Sequence, residues 1–150
     1  MTLFEQIEQD LVTARKQRDH TALDALGMLK SEVINAGKEP GAAGSTDDDL
    51  VMRVIRREVK RRQEAAQAFA TGGRDDSARK EEAEAKILSA YLPAQIGEED
   101  LEAEVRAVIA EVGAASPRDM GSVMKVAGPR LGERAEPGRI AAVARRLLAG

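Results

Sequence analysis

Apolar residues in this chain recur every three or four positions, in a series of stretches that each begin at a helix-capping signal. The first stretch shows the pattern, since Thr2 and Glu5 have the spacing of a capping box. Phe4, Ile7 and Leu11 then follow on one face of the predicted helix. No stretch alternates apolar and polar residues as a half-buried strand would. The periodicity therefore predicts an all-α fold.

Capping residues, glycines and prolines divide the chain into seven predicted helices. The first four begin at Thr2, at Asp19 or Thr21, at Ser45 or Thr46, and at Asp75 or Asp76, and the last two of these end near Ala70 and Ala90. In the second helix the predicted inward residues are Leu23, Leu26, Leu29, Val33 and Ile34. Three more helices are predicted over 98–112, 117–127 and 137–149, the middle one closed by Gly128-Pro129.

A domain boundary is predicted in the segment 93–97, which starts with Pro93 and ends with Gly97. The residue before a proline is pushed out of helical geometry, so the fourth helix has to end there. We therefore expect an N-terminal helical domain of about four helices over residues 1–93. A C-terminal three-helix bundle is expected over residues 94–150.

The composition limits the kind of core and the chemistry that this chain can have. Aromatic residues make up 2% of the chain, and there is no cysteine. The core must therefore be built from alanine and aliphatic side chains, which suits packed helices. Disulfides, thiolate catalysis and cysteine-based metal sites are excluded.

Charge and hydropathy patterning predict a cytoplasmic protein. The N-terminal segment is amphipathic and acidic, unlike a signal peptide, and no apolar run approaches the roughly 20 residues that cross a bilayer. We expect no membrane partner. The net charge of −3 argues against bulk attraction to nucleic acid, so any such binding must come from a local patch. DNA is not an expected partner.

No catalytic, cofactor or metal site is predicted. The single histidine, His20, lies at a junction between two helices, and none of the serines lies in a nucleophile-elbow or Ser-x-x-Lys setting. The glycines lack the flanking pattern of a phosphate-binding loop. Glu81, Glu82 and Glu84 could bind a hard metal, but such an acidic run is typical of a solvated helix face. The chain is not expected to be an enzyme on its own.

A basic ridge is predicted along one side of the third helix. Its residues follow an i, i+3, i+4, i+7, i+8 pattern: Arg53, Arg56, Arg57, Lys60 and Arg61. Such a ridge could follow phosphates. The alternative is a solvated face whose bases pair with Glu58, Glu64 and the acidic fourth helix.

The last third of the chain carries the second basic surface. From Pro117 onward it has seven basic and three acidic residues, a local net charge of +4 in an acidic chain. No aromatic side chain lies in this part, so base stacking is not expected. Structured RNA, read by its shape and backbone, is the compatible target. Ordinary basic helix ends are the alternative.

One stretch near the C-terminal end resembles the Ser-Pro-Lys-Asp-Met-Gly-x-Val-Met-Lys segment of the GatB/YqeY family. It reads Ser116-Pro117-Arg118-Asp119-Met120-Gly121-Ser122-Val123-Met124-Lys125. Three earlier segments are also similar to that family: Ala25-Leu26-Gly27-Met28-Leu29-Lys30, Lys60-Arg61-Arg62-Gln63-Glu64, and Lys80-Glu81-Glu82-Ala83-Glu84 with the following Tyr91-Leu92-Pro93. The chain departs from the family at Gly27, where a basic residue is usual, and in the turn over 133–136, which lacks a leading glycine.

The resemblance implies a function connected with tRNA. Family members are related to the tail of the B subunit of glutamine-dependent tRNA amidotransferases, and that tail grips the body of the tRNA while catalysis lies elsewhere. By resemblance, we expect a non-catalytic tRNA-binding or tRNA-associated protein. The candidate phosphate contacts are Arg118, Lys125, Arg130, Arg134 and Arg139. Two alternatives stay open: a protein-interaction adaptor that uses the third and fourth helices, and an accessory part of a carbon–nitrogen ligase assembly.

Overall fold

The computed structural model describes residues 1–150 and contains only helices, turns and loops. The predicted all-α fold is confirmed. In chain order the elements are α1 (Leu3–Gln17), α2 (His20–Gly37), α3 (Asp48–Thr71), α4 (Asp75–Ser89), α5 (Glu98–Val112), a short 3₁₀ turn (Pro117–Asp119), α6 (Met120–Leu131) and α7 (Pro137–Ala149). None of these helices is both long enough and apolar enough to cross a membrane.

Contacts divide the chain into an N-terminal unit, Met1–Leu92, and a C-terminal unit, Pro93–Gly150. The N-terminal unit holds α1–α4, with α4 packed along the long helix α3 and α2 packed against α1, α3 and α4. The C-terminal unit holds α5–α7, which all pack against one another. Independent folding of the two parts, with the boundary expected between residues 93 and 94, stays a prediction.

The N-terminal unit begins at the predicted capping box. The Thr2 hydroxyl accepts from the Glu5 backbone N–H, and the Glu5 carboxylate accepts from the Thr2 N–H. Its core is aliphatic, with fully buried side chains from each of the four helices: Ile7, Leu29, Ile55 and Leu88. After α4, the Tyr91 hydroxyl donates to the Asp10 carboxylate and so ties the end of the unit to α1.

The C-terminal unit has its own aliphatic core. The largest fully buried side chains come from all three helices: Leu101, Val105, Val108, Leu131 and Ile140. Helix α5 ends at Gly113, whose φ of 68° is left-handed and therefore suits glycine. The predicted box of Ser116 and Asp119 is present, and it caps the 3₁₀ turn that leads into α6.

Two predicted helix boundaries were wrong. Helix α6 runs through Gly128 and Pro129 to Leu131, although the proline was expected to stop it. Ala127 and Leu131 lie one turn apart on the buried face, while Pro129 is exposed, so the core keeps the helix going past the proline. Helix α3 begins at Asp48 under an Asp47 cap, later than the predicted start at Ser45 or Thr46.

One predicted inward residue of α2 was also wrong. Ile34 is 37% exposed, while Val33 beside it is fully buried. Adjacent residues on a helix point about 100° apart, so only one of the two can face the core fully.

Candidate functional site

The five candidate RNA contacts of the C-terminal unit lie on four elements. Arg118 is in the 3₁₀ turn, Lys125 and Arg130 are on α6, Arg134 lies in the turn before α7, and Arg139 is in the first turn of α7. Their surroundings divide them into a paired set and an unpaired set.

Arg130 and Arg139 already form ion pairs with carboxylates of α5. The Arg130 guanidinium donates from Nη1 and Nη2 to the two carboxylate oxygens of Glu111, at 3.0 and 2.8 Å. These hydrogen bonds hold the pKa of Glu111 below its ordinary value. Arg139 Nη2 donates to the Ile96 carbonyl at 3.0 Å and to Glu98 at 3.1 Å.

The paired arginines are also far apart. Glu98 and Glu111 lie 13 positions apart on α5, which corresponds to about 20 Å along the helix axis. Arg130 and Arg139 therefore contact opposite ends of α5. Each arginine links another part of the C-terminal unit to α5. The structure does not bring Arg130 and Arg139 together as one phosphate site.

The other three candidates, Arg118, Lys125 and Arg134, form no ion pair. Arg118 and Lys125 are exposed on one side of α6 and its leading turn, seven positions apart. Between them on that side lie only Gly121 and Ser122, both exposed. This surface is named the α6 face: Arg118, Gly121, Ser122 and Lys125. It combines two free cations with backbone that short side chains leave accessible.

The turn that leads into the α6 face offers few free backbone donors. The Asp119 carboxylate accepts from the N–H groups of Ala115 and Ser116, at 2.8 and 3.2 Å. The Arg118 N–H donates to the Ser116 hydroxyl. An anion at this turn would therefore be bound by side-chain cations and not by a ring of amides.

The basic ridge of α3 is partly neutralised. Arg57 lies 3.5 Å from Glu32, and Arg61 donates to Glu58 at 3.1 Å. Arg53, Arg56 and Lys60 form no ion pair, and they follow an i, i+3, i+7 stripe along the helix. The predicted pairing with Glu58 occurs for Arg57 and Arg61, whereas no base of the ridge pairs with Glu64.

A buried charged triad is the feature that the sequence analysis missed. Glu58, Arg62 and Glu84 are the only polar residues buried in the chain, with exposures of 3%, 8% and 8%. Arg62 Nη1 donates to the Glu58 carboxylate at 3.2 Å, and Arg62 Nε lies 3.6 Å from Glu84 Oε2. Burial raises the pKa of Glu84, and the charge of Arg62 opposes that shift.

The expectation that Glu81, Glu82 and Glu84 form a solvated face was wrong for Glu84. Helical spacing could have predicted the burial of Glu84, because Glu84 lies one turn before the fully buried Leu88. Arg62 likewise lies one turn after Glu58 and one turn before the buried Ala66. A stripe analysis that included charged residues would have placed both on the inner faces of their helices.

The structure gathers no group of three or more histidine, cysteine or acidic side chains that could hold a metal ion. His20 is exposed at the first position of α2. Neither surface cations nor the buried triad supplies an oriented nucleophile and base.

Comparison with known proteins identifies the family. The family model described as YqeY-like protein matches residues 4–148, nearly the whole chain. The chain therefore belongs to the YqeY-like protein family.

Two curated relatives are similar over shorter spans. Altered inheritance of mitochondria protein 41, mitochondrial, from Pyrenophora tritici-repentis is 26% identical over 106 residues. That match covers 69% of this chain but only 57% of the relative. An uncharacterized protein of Schizosaccharomyces pombe is 32% identical over 87 residues, which cover 58% of this chain and 69% of the relative.

Proposed function

We propose that this YqeY-like protein is a non-catalytic RNA-binding protein whose C-terminal unit contacts the phosphates of a structured RNA such as tRNA. The α6 face is the observation that carries the proposal. Its two cations are free of carboxylates, whereas Arg130, Arg139 and Arg146 of the same unit each pair with an acid of α5. Free cations can exchange counterions for phosphates without first breaking an internal ion pair.

The shape of the α6 face also suits the ribose-phosphate backbone of an RNA. Gly121 has open space where a side chain would begin, since an added Cβ would meet no atom within 4 Å. A ribose-phosphate backbone could therefore approach the helix closely, with a cation on either side. The absence of aromatic residues from this unit favours a folded RNA over a single strand with unstacked bases.

Ion pairing ranks the candidate contacts within this proposal. Arg118, Lys125 and Arg134 are proposed as the principal phosphate contacts because none is engaged elsewhere. Arg130 and Arg139 become secondary, since phosphate binding would compete with Glu111 and Glu98. The unpaired part of the ridge, Arg53, Arg56 and Lys60, is a second contact surface on the N-terminal unit.

The proposal is tested by titrating bulk tRNA, followed by fluorescence anisotropy, at salt concentrations from about 50 to 200 mM. The test variant is Arg118→Ala/Lys125→Ala/Arg134→Ala. The matched control is Lys16→Ala/Lys38→Ala/Lys86→Ala, which removes the same charge from three exposed, unpaired lysines of the N-terminal unit. We expect the test variant to bind about 10- to 100-fold more weakly and the magnitude of its log–log salt slope to fall by roughly 3.

Two outcomes would contradict the proposal: no binding at the lowest salt, or equal losses in the test variant and the control. The adaptor hypothesis predicts instead a protein partner that survives RNase treatment and maps to α3 and α4. The ligase-assembly hypothesis predicts that amide formation by the catalytic subunits depends on this chain.

A further inference from the structure

Pro129 lies inside helix α6, the helix whose outer side is proposed to contact RNA. The helix runs from Met120 to Leu131, so it continues on both sides of the proline. A proline has no backbone N–H, and its ring also crowds the carbonyl four residues earlier. In α6 that carbonyl belongs to Lys125. The Lys125 carbonyl therefore lacks the i+4 donor of an ordinary helix.

This carbonyl lies on the same side of α6 as the two free cations. A helical carbonyl points along the helix axis toward the residue four positions later, and residues three, four and seven positions apart share a side. Arg118 lies seven positions before Lys125, and Pro129 lies four positions after it. All three residues are exposed. The Lys125 carbonyl is thus part of the surface that extends from the α6 face to Pro129.

Glycines leave the carbonyl accessible. A helical side chain covers the surface over the turn before its own Cα, so a side chain at position 128 would lie over Lys125. Position 128 is a glycine, and an added Cβ there would meet no atom within 4 Å. The same is true of Gly121, one turn before Lys125. A ligand can therefore approach the backbone of α6 on either side of Lys125.

An accessible acceptor beside free cations selects a ligand that carries both an anion and a donor. A carbonyl oxygen accepts hydrogen bonds and donates none, so it offers nothing to a phosphate oxygen. A ribose-phosphate backbone combines the two groups, since each phosphate is anionic and each ribose has a 2′-hydroxyl that donates. Deoxyribose has no 2′-hydroxyl and would leave the carbonyl without a partner. A desolvated acceptor without a partner is costly.

We propose that the Lys125 carbonyl accepts a hydrogen bond from a ribose 2′-hydroxyl while the side chains of Arg118 and Lys125 contact neighbouring phosphates. The inference rests on the proposed function and adds to it a means of distinguishing RNA from DNA. The cations supply affinity for any phosphate backbone. The carbonyl supplies the preference for ribose.

The test compares one tRNA with the same tRNA carrying 2′-fluoro groups in place of its 2′-hydroxyls. Fluorine preserves the phosphates and the A-form geometry but has no hydrogen to donate. Binding to the full chain is followed by fluorescence anisotropy. We expect the wild type to bind the hydroxyl form about 3- to 10-fold more tightly, the effect of one hydrogen bond. This ratio should stay constant between about 50 and 200 mM salt, because the hydrogen bond releases no counterion.

Pro129→Ala is the decisive variant because it supplies the missing N–H to the Lys125 carbonyl. We expect its affinity for the hydroxyl tRNA to fall by about 3- to 10-fold and its affinity for the fluoro tRNA to stay unchanged. Any effect of fluorine on the fold of the tRNA is the same for both proteins and cancels. The melting temperature should rise, since alanine replaces a proline inside a helix. The loss of preference could then not be caused by unfolding.

Two further variants separate the carbonyl from other effects. Pro137→Ala is the matched control, since Pro137 is exposed at the first position of α7, where a backbone N–H has no helical acceptor. Its ratio should equal that of the wild type. Gly128→Leu leaves the Lys125 carbonyl without an N–H but covers it with a side chain, and should also lower the ratio.

Three outcomes would overturn the inference: equal binding of the two tRNAs by the wild type, a wild-type ratio in Pro129→Ala, or a lost ratio in Pro137→Ala. Equal binding that still weakens in Arg118→Ala/Lys125→Ala/Arg134→Ala would overturn this inference alone and support the proposed function. The α6 face would then be a site for phosphates only. Failure to bind either tRNA at low salt would overturn both.

Discussion

The two units are built from the same aliphatic residues, but they handle charged side chains differently. In the N-terminal unit, two glutamates and an arginine lie inside the helix packing, at exposures of 8% or less. In the C-terminal unit every buried residue is apolar, and the ion pairs of Arg130, Arg139 and Arg146 lie at the surface. A charge inside the packing constrains its neighbours strongly, whereas a surface pair is screened by water.

This difference suggests a division of labour. The C-terminal unit keeps its charges where they can meet an external polyanion and relies on apolar burial for its stability. The N-terminal unit holds charge where desolvation is costly, and the ion pairs of Arg62 with Glu58 and Glu84 offset part of that cost. Replacing charges in each unit tests whether the contrast is real.

The largest expected effect comes from Arg62→Met. The change removes the arginine that pairs with both buried carboxylates, Glu58 and Glu84, and leaves Glu84 buried without an ion pair, so we expect a loss of about 3–5 kcal/mol in the free energy of unfolding. Tyr91 is the only tyrosine, and the chain has no tryptophan. Because Tyr91 lies in the N-terminal unit, its fluorescence during urea unfolding reports on that unit. Arg130→Met is the matched control, followed by helical circular dichroism because Arg130 lies in the C-terminal unit, and loss of its exposed ion pair should cost little stability. Equal losses in the two variants would remove the contrast between the units.

The second largest expected effect comes from Ile140→Ala, a change in the apolar core of the C-terminal unit. Ile140 is fully buried in a core without polar groups, so Ile140→Ala should cost about 2–5 kcal/mol through lost burial and a cavity. We expect helical circular dichroism to show an early transition while the Tyr91 transition stays at its wild-type midpoint. Coincident shifts of both signals would mean that the two units unfold together, contrary to the predicted domain organisation.

Much of the fold was predictable from local signals. The capping box at Thr2 and the box at Ser116 are short-range arrangements and were found as predicted, and Asp19 is the one of the two predicted caps of α2 that the structure uses. Helix α6 was misjudged because a proline rule is local, whereas the burial of Leu131 that carries the helix past Pro129 is a tertiary effect.

The site was less predictable for a physical reason. The sequence analysis named Arg118, Lys125, Arg130, Arg134 and Arg139 as equal candidates. Sequence spacing could not show that Arg130 and Arg139 are paired, since Glu111 and Glu98 lie 19 and 41 positions away. The triad was missed because Glu84 sits in an acidic run that looks solvated until α3 is packed against α4.

The smallest expected effect concerns pH. The stability contributions of one carboxylate in each unit, Glu84 and Glu102, are expected to change with pH in opposite directions. Burial raises the pKa of Glu84 above its ordinary value of 4.5, with Arg62 and Lys80 opposing the shift and Glu81 and Asp24 adding to it. Its contribution to stability is therefore fully present below pH 4.5 and is lost as the pH rises through the raised pKa. Glu102 behaves in the opposite way, because hydrogen bonds from Arg106 and Arg146 lower its pKa. Its contribution is present above pH 4.5 and is lost as the pH falls through the lowered pKa.

Urea unfolding of wild type, Glu84→Gln and Glu102→Gln between about pH 2 and 7 measures both contributions. On acidification, the stability of wild type relative to Glu84→Gln should rise, whereas its stability relative to Glu102→Gln should fall. Subtracting each variant cancels the other carboxylates, including Asp47, whose capping hydrogen bond to Leu50 also lowers its pKa. If both differences changed in the same direction, Glu84 would be as well solvated as Glu102. The buried triad would then no longer distinguish the N-terminal unit from the C-terminal unit.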